Sequence, residues 1–302
     1  MRPGSSLRRI RVGVSLLLVL ILLGGLAWGL RGRGLGSALH SNVRAVLSTV
    51  KAVLDRSSAK STGNFTTLIF LHHSTGQNLI EQGGVREAFA AAGYSFWDHS
   101  YNDQGLTRPD GTPAGYSYNI PDDNTDPDGL ARIFSQRRYS WPLNAFSGLM
   151  RHEVIIFKSC FPVSNITSDV QLEQYRAYYL QIREVIDRYP NRIFVVVTPP
   201  PLNPAETDAE AAARARAFAE WLKSDEFLGG HPNVLTVDLF DLLAEGDVLA
   251  SDLNMLRAAY RDGKDSHPNR LANQTIGPLL VNFVLDAVEV YRAGLAEGGE
   301  TP

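Results

Sequence analysis

The stretch Leu68-Ile-Phe-Leu-His-His-Ser-Thr-Gly-Gln-Asn78 decides the fold and holds the first candidate functional residue. Its first four residues are a short apolar run, which is typical of a buried strand. Polar residues follow, including Ser74, and an amphipathic helical pattern begins after Gly83-Gly84. The pattern predicts a strand, a loop and a helix, with Ser74 where the strand gives way to the loop. Ligands bind at the carboxyl ends of strands in open α/β sheets. The Ser74 hydroxyl is therefore a candidate nucleophile, and the alternative is a serine that only begins a turn.

Strand-like and helix-like segments alternate over the rest of the chain. Apolar runs predict strands at residues 68–71, 154–157, 193–198 and 234–237. Helical spacing predicts helices at residues 85–92, 171–188, 208–223 and 271–292. Continuous apolar strands that alternate with helices indicate a mostly parallel sheet covered on both faces. We therefore predict an α/β fold, a three-layer α/β/α sandwich over residues 64–302.

Residues 97–146 interrupt this alternation and are rich in Asp, Asn, Gly, Tyr and Pro. A loop of this length in a compact domain is usually functional or disordered, and its many aromatic residues favour order. We predict an ordered insertion over the strand ends. Its aromatics either stack on a sugar or form the insertion's own small core. They include Trp97, Tyr101, Tyr116 and Trp141.

The N-terminal segment differs in kind from the rest. A cluster of arginines precedes residues 12–30, which are apolar or small throughout; these arginines are Arg2, Arg8, Arg9 and Arg11. A segment of this length approaches the hydrocarbon thickness of a bilayer, and Ala27-Trp28-Gly29 is a poor cleavage site for a signal peptidase. We predict an uncleaved single-pass membrane anchor over residues 1–33, with the body outside the cytoplasm. A cleaved signal peptide and a secreted protein is the alternative.

A tether over residues 34–63 is predicted to join the anchor to the domain. Val43, Leu47, Val50 and Leu54 recur at helical spacing, which predicts an amphipathic helix. Residues 57–63 are predicted to form a loop.

Bulk composition limits the functions that need to be considered. The chain has 302 residues, of which 44% are hydrophobic and 20% charged, and this suits one sizeable globular domain. A net charge of −3 gives no electrostatic case for binding nucleic acid. Cys160 is the single cysteine, so an intramolecular disulfide and a cysteine-rich metal site are both excluded.

The second informative stretch is Asp262-Gly-Lys-Asp-Ser-His-Pro-Asn-Arg270. His267 stands before a proline, at the start of the last predicted helix, from where it can reach the edge of the sheet. The ordinary pKa of histidine suits proton transfer near neutrality, and Asp265 is placed to hold the imidazole tautomer. The alternative is a histidine with a purely structural role in a loop.

Together these two stretches resemble the SGNH (GDSL-type) hydrolase superfamily. Residues 265–269, Asp-Ser-His-Pro-Asn, look like its last motif, and residues 195–201 and 233–239 resemble its preceding strands and loops. The resemblance covers residues 64 to about 292. It implies a flavodoxin-like sheet and ester hydrolysis or acyl transfer, with Ser74 as nucleophile, His267 as base and Asp265 as its partner.

The chain departs from the motifs of that superfamily in several places. His72-His73-Ser74 replaces Gly-Asp-Ser, and Lys264 stands where the motif usually has Asp. The Gly-x-Asn-Asp block is absent, and residues 157–165 take its place. The resemblance implies an oxyanion hole of the Ser74 N–H group, the Gly105 N–H group and the Asn165 side chain.

We therefore predict a serine-dependent ester hydrolase or acyltransferase without a metal or cofactor, acting on an acyl or acetyl ester. The predicted partners are a small-molecule or glycan ester substrate, or a lipid, and the membrane that holds the anchor. Four polar residues are predicted to contact the substrate, namely His73, Asn78, Asn102 and Ser159. A catalytically inactive glycan-binding module on the same fold is the alternative.

Three other chemistries stay open on the sequence. Cys160 is a candidate thiol nucleophile, with Lys158 close enough in sequence to lower its pKa. A metal site is a second alternative, because imidazole and carboxylate ligands are clustered at His72, His73, Asp98, His99 and Asp103. Residues 124–129 match the opening of a calcium loop, but Ser135 stands where its glutamate is needed.

Overall fold

A six-stranded sheet forms the centre of the protein, whose computed structural model describes residues 36–297. The strands are β1 (Thr67–Leu71), β2 (Ser95–His99), β3 (Leu106–Thr107), β4 (Val154–Lys158), β5 (Ile193–Val197) and β6 (Val234–Val237). They lie in the order β3-β2-β1-β4-β5-β6, and every neighbouring pair is parallel except β2 and β3. Without the short β3, the five parallel strands have the order of a flavodoxin-like sheet. The chain reverses its direction of travel across the sheet at β1, so the carboxyl end of β1 is its topological switch point.

Helices cover both faces of the sheet. They are α1 (Gly36–Leu54), α2 (Ser74–Gly83), α3 (Val85–Ala91), α4 (Pro127–Phe134), α5 (Ala145–Leu149), α6 (Asp169–Ile186), α7 (Ala209–Lys223), α8 (Asp225–Leu228), α9 (Leu239–Leu243) and α10 (Arg270–Glu297). Alternate residues of β1 enter two separate hydrophobic cores, with Ile69 and Leu71 in one and Leu68 and Phe70 in the other. This alternation follows from the two-residue period of a strand. The predicted three-layer α/β/α sandwich is confirmed.

The predicted strands and long helices are found within about one turn of their predicted bounds. The loop predicted between the first strand and residue 85 is wrong, because α2 begins directly at Ser74. The residues of α2 that pack inward are Thr75, Gly76, Leu79 and Ile80, so its apolar face is too small to give a clear helical pattern.

The insertion is ordered and contributes to the core. It contains β3, α4 and α5. Trp97 lies in β2, and it and Tyr116 are buried. These two residues belong to one of the two main cores and not to a separate small core of the insertion, and their burial prevents them from stacking on a sugar. Trp141 is exposed.

The predicted tether packs against the insertion. Asp55, just after α1, accepts hydrogen bonds from Arg108 at 2.8 Å and from the Tyr116 hydroxyl at 2.9 Å. Ala52 and Ala59 are buried in one of the two cores. Residues 42–59 therefore form part of the folded body.

Within residues 36–297, one helix, α10, is long and apolar enough to cross a bilayer over residues 270–295. Half of its most apolar part is buried, and it packs against α2 and α3, which is typical of the core helix of a folded domain. The anchor predicted over residues 1–33 lies outside the described residues.

Candidate active site

Ser74 is the first residue of α2 and lies half-buried at the carboxyl edge of the sheet. Only two residues separate it from β1, and the backbone of His73 is still extended there. Gly76 makes this abrupt transition possible, because a Cβ atom at that position would lie 2.3 Å from Cβ of His72. The strand-to-helix junction therefore presents the Ser74 hydroxyl at the switch point of the sheet.

His267 and Asp265 meet Ser74 in one hydrogen-bonded row. Nε2 of His267 lies 2.7 Å from Oγ of Ser74, across 193 residues of sequence. Nδ1 of His267 lies 2.7 Å from Oδ1 of Asp265, which also accepts the backbone N–H of His267 at 3.1 Å. A proton on Nδ1, donated to Asp265, leaves Nε2 free to accept the serine proton.

The Asp265 side chain is 62% exposed, and the pKa of its carboxyl group is lower than usual. Partial burial acts to raise the pKa of Asp265, but the hydrogen bonds from the ring and the backbone of His267 outweigh it and lower that pKa below its ordinary value. The site thus places a hydroxyl, an imidazole and a carboxylate in hydrogen-bonded sequence, which is the geometry that acyl transfer by a serine requires.

The loop that carries His267 is fixed by the loop after β5. The Asn203 amide donates to the carbonyl oxygens of Gly263 and Asp265, both at 3.1 Å. The buried Ser266 hydroxyl accepts the backbone N–H of Asn203 at 2.9 Å. Sequence reasoning missed both residues. The only signal was the position of Asn203 two residues after the proline run 199–201.

A close helix crossing fixes Ser74 relative to His267 from the opposite side. Gly83 of α2 and Gly277 of α10 touch so closely that a Cβ atom at Gly277 would lie 2.5 Å from the Gly83 carbonyl oxygen. Asn273 of α10 donates to Gln82 of α2 at 3.0 Å. Ser74, at the start of α2, and His267, just before α10, are therefore held by two helices that are packed backbone to backbone.

The backbone just before Ser74 is held by a buried ionic group. His72 contacts the His73 carbonyl oxygen through Nδ1 at 2.9 Å and the Asp98 carboxylate through Nε2 at 3.2 Å. Arg86 forms an ion pair with the same carboxylate. Burial would raise the pKa of Asp98, but its contacts with His72 and Arg86 keep that pKa below its ordinary value.

The two other residues assigned to the oxyanion hole lie in different surroundings. Gly105 stands in the turn between β2 and β3 with a φ of +78°, and its N–H group donates to the Tyr101 carbonyl oxygen at 3.1 Å. Asn165 is exposed at the end of a single 3-10 turn, Phe161–Ser164. Both assignments stay predictions.

Four residues were predicted to contact the substrate, and two of them lie inside the protein. His73 stacks on Tyr101 with ring centroids 3.9 Å apart. Burial and the charge of Lys158 lower the pKa of His73 to about 4, so its ring is neutral at neutral pH. The buried Ser159 hydroxyl lies 2.8 Å from the Tyr179 hydroxyl.

The other two predicted substrate contacts are half-buried. Asn78 lies in α2, where its side-chain oxygen accepts a hydrogen bond from Gln82 at 3.4 Å. Asn102 borders a polar cleft of about 410 Å³ between α1 and the insertion. All four substrate assignments stay predictions.

The residues of the alternative thiol and metal sites have other partners in the structure. The thiol of Cys160 is 6% exposed and lies 3.8 Å from the Thr75 hydroxyl, whereas His267 faces Ser74. The rings of His72, His73 and His99 have separate partners, which are Asp98, Thr125 and Ser117. Within residues 36–297, no three His, Cys, Asp or Glu side chains gather in a way that could hold a metal ion.

The segment that resembles a calcium loop forms the beginning of a helix. Residues 127–129 are the first turn of α4, and Asp126 precedes it as the N-cap. Arg132 forms ion pairs with Asp128 in this turn and with Asp123 ahead of it. The carboxylates therefore stabilise the helix.

Comparison with known proteins yields solved structures alone. No family model matches the sequence, and no curated protein matches it. A provisionally assigned platelet activating factor from Streptococcus pneumonia superposes with a TM-score of 0.47 and 11% identity, over 88% of this chain and 98% of that one. A provisionally assigned acylhydrolase from Bacteroides fragilis superposes with a TM-score of 0.45 and 12% identity, over 80% of this chain and 95% of that one. Likeness at this level assigns neither a family nor an activity to the chain.

Proposed function

We propose that the protein is a serine-dependent ester hydrolase or acyltransferase. The observation that carries the proposal is the hydrogen-bonded row from Ser74 through His267 to Asp265. A serine hydroxyl is a weak nucleophile until a neighbouring base takes its proton, and an imidazole within hydrogen-bond reach is such a base. The resemblance of the sequence to the SGNH superfamily points to the same chemistry.

The first half of the reaction forms an acyl-enzyme. Oγ of Ser74 attacks the carbonyl carbon of the ester while its proton passes to Nε2 of His267. The Asp265 carboxylate stabilises the imidazolium that results. His267 then returns the proton to the leaving alkoxide as the ester C–O bond breaks, and the acyl group stays on Ser74.

The second half releases the acyl group. A water molecule gives hydrolysis, and the hydroxyl of a second substrate gives acyl transfer. In both cases His267 takes the proton of the incoming O–H group and later returns it to Oγ of Ser74.

Donors for the oxyanion are available at the start of α2. The first N–H groups of a helix have no partner within the helix and lie at the positive end of its dipole. The N–H groups of Ser74 and Thr75 are such groups, and the Ser74 N–H was predicted to serve this purpose. One donor of this kind is worth about 3 kcal/mol of the barrier. Gly105 and Asn165 remain candidates for the other donors.

The substrate is proposed to be an acyl or acetyl ester of an envelope glycan or a lipid. The support is the predicted anchor over residues 1–33, which would place the body outside the cytoplasm, and the polar cleft beside Asn102. Arg44, Ser48, Asp103 and Asp122 also line this cleft, and such groups pair well with sugar hydroxyls. With Trp97 and Tyr116 in the core, stacking on a sugar is left to exposed aromatics such as Trp141.

The test is a panel of acyl esters with the full-length protein in detergent, in wild-type, Ser74→Ala and Cys160→Ala forms. Loss of turnover by about a thousandfold is expected in Ser74→Ala alone. A fluorophosphonate probe, which reacts with activated serines, should modify the peptide that contains Ser74 in the wild type and in Cys160→Ala.

Three results would overturn or redirect the proposal. Full activity of Ser74→Ala would exclude the serine mechanism. Loss in Cys160→Ala alone would point to the thiol. A folded wild type that hydrolyses no ester, resists the probe and still binds glycans would be the inactive binding module.

A further inference from the structure

Helix α1 contacts the domain through its polar side. The Ser48 hydroxyl accepts the backbone N–H of Ser117 at 2.7 Å. Asn119 donates to the Ala45 carbonyl oxygen at 3.2 Å and to the Thr49 hydroxyl at 2.8 Å. Ala52, 1% exposed, marks the centre of this contact face.

The opposite side of α1 carries four of its apolar residues, and the half-buried Val46 and Val53 flank them. Val43, Leu47, Val50 and Leu54 lie on one stripe, and at 100° per residue the stripe points roughly 170° away from Ala52. Leu47 is 44% exposed and Leu54 is 68% exposed. The helix is therefore reversed relative to the usual surface helix, which turns its apolar stripe towards the core. Within the described residues, Val43 and Val50 of the stripe are half-buried, and Leu47 and Leu54 keep an exposed apolar surface.

Two cations border the stripe. Arg44 and Lys51 are exposed, and their end groups donate to the carbonyl oxygens of Asp103 and Gly115, both at 3.1 Å. An apolar stripe bordered by Lys and Arg is typical of helices that lie in a membrane interface. The basic residues there also attract anionic lipids.

The direction of α1 relates the stripe to the active site. Its N-terminal half contacts Asp103, in the loop after β2, which lies at the carboxyl edge of the sheet with Ser74. Asp55, beyond its other end, pairs with Arg108 after β3, which runs back towards the opposite edge. In the sequence, the apolar run 12–30 ends five residues before α1. Five residues span at most roughly 18 Å, so α1 begins close to the point where such a run would enter a bilayer.

We propose that the apolar stripe of α1, bearing Val43, Leu47, Val50 and Leu54, inserts into the interface of a lipid bilayer. The helix then lies along the membrane surface and is fixed to the domain by its other side. The carboxyl edge of the sheet, with Ser74, is held beside the bilayer. This contact is independent of the chemistry at Ser74, and its test does not use activity.

The experiment uses the full-length chain in vesicles of phosphatidylcholine and phosphatidylglycerol. Cys160→Ala removes the natural thiol, and Leu47→Cys, Leu54→Cys or Leu249→Cys then accepts an environment-sensitive fluorophore. Leu249 is the matched control, because it is a leucine that is 90% exposed in a loop away from α1. Shallow spin-labelled lipids should quench positions 47 and 54 about threefold or more beyond position 249, with a blue shift of emission, as expected for an interfacial helix.

Other occupants of the stripe would give different results, each of which overturns the proposal. Shielding of positions 47 and 54 from aqueous iodide without quenching by the lipids indicates a protein cover. If that shielding is lost on dilution of protein among vesicles, the cover is a second copy, and otherwise it is the N-terminal segment of the same chain. Equally weak quenching at positions 47, 54 and 249, with all three open to aqueous iodide, indicates no cover at all.

A measurement on the unsubstituted chain guards against misfolding of the labelled variants. Vesicles that contain a photoactivatable diazirine lipid should label the peptide holding residues 43–54 severalfold more than the peptide holding residues 245–252. Equal labelling of the two peptides would contradict the proposal.

Discussion

Two carboxylates at opposite ends of the sheet have opposite surroundings. At the amino end, the buried carboxylate of Glu153, just before β4, is surrounded by donors. These are backbone N–H groups of Thr62, Gly63, Thr66 and Thr67 and hydroxyls of Ser61, Thr62 and Thr67. At the carboxyl end, the Asp265 carboxylate is mostly exposed and accepts hydrogen bonds from the ring and the backbone N–H group of His267.

This difference separates stability from function. A buried anion that accepts many hydrogen bonds is strongly bound to the folded state, and removing its charge leaves its donors without a full partner. Polar groups that keep free hydrogen-bonding capacity contribute less to folding and remain available to a substrate. We therefore expect substitutions at the amino end to change unfolding and substitutions at the carboxyl end to change turnover.

The largest effect is expected for His267→Ala. Without the base, Ser74 keeps its proton, and ester turnover should fall by about 10³-fold or more. The melting temperature should change little, because the His267 ring is only partly buried. Its aromatic contact is a T-shaped one with Phe161, with ring centroids 4.8 Å apart. Steady-state kinetics and a thermal melt measure the two quantities. A variant that melts much earlier and keeps its turnover would reverse the contrast between the two ends.

Glu153→Gln should have the next largest effect, on stability alone. The NH2 group of the new amide would face the N–H groups that now bind the carboxylate, and neither side could accept a hydrogen bond. We therefore expect a loss of about 3 kcal/mol in the free energy of unfolding. Urea unfolding measures this loss, and kcat of the folded fraction should be unchanged. Glu173→Gln is the control, because that carboxylate is exposed and its pair with Arg176 is worth at most about 1 kcal/mol.

The stability from Glu153 should also depend on pH with a defined sign. Burial alone would raise the pKa of Glu153, but the hydrogen bonds from Thr67, Gly63 and Ser61 lower it to about 2 from an ordinary 4.5. A lowered carboxyl pKa stabilises the folded state above pH 4.5, and this contribution is lost as the pH falls towards 2. The difference in stability between wild type and Glu153→Gln should therefore shrink over that range. If the difference in stability between the two proteins stays constant down to pH 2, the charge of Glu153 is not the source of that difference.

The sequence predicted the layers of the fold better than the details of the site. The strands were predictable because four of them are uninterrupted apolar runs, whose burial depends little on the rest of the chain. Helix α2 was not, because it begins at Ser74 with small and polar residues and is stabilised by contact with α10. Asn203 was missed for a similar reason, since its partners Gly263 and Asp265 are about 60 residues away.

Gly277→Ala tests whether the helix crossing behind the site maintains its geometry. The new methyl group would meet the backbone of Gly83, which cannot move as a side chain can, and we expect about 2 kcal/mol of destabilisation. Turnover should fall as well, because α2 carries Ser74 and α10 follows His267.

Gly294→Ala is the matched control in the same helix. A Cβ atom there meets nothing within 4 Å, so this variant should be neutral or more stable by up to about 1 kcal/mol. Equal melting curves for the two variants would mean that the crossing can adjust at no cost.

The smallest effect is expected for Asp265→Asn. The amide oxygen can still accept hydrogen bonds from the ring and the backbone of His267, so the geometry should persist while the negative charge is lost. In serine hydrolases whose orienting carboxylate is buried, this change costs about 10⁴-fold in kcat. The Asp265 side chain is 62% exposed, so water can stabilise much of the imidazolium charge in its place. We therefore expect kcat to fall only about tenfold to thirtyfold, with KM and the urea midpoint unchanged.

The fluorophosphonate probe should still modify Ser74, more slowly than in the wild type. A loss as large as that of His267→Ala would show that Asp265 is shielded from water when substrate is bound, so that the carboxyl end closes during the reaction.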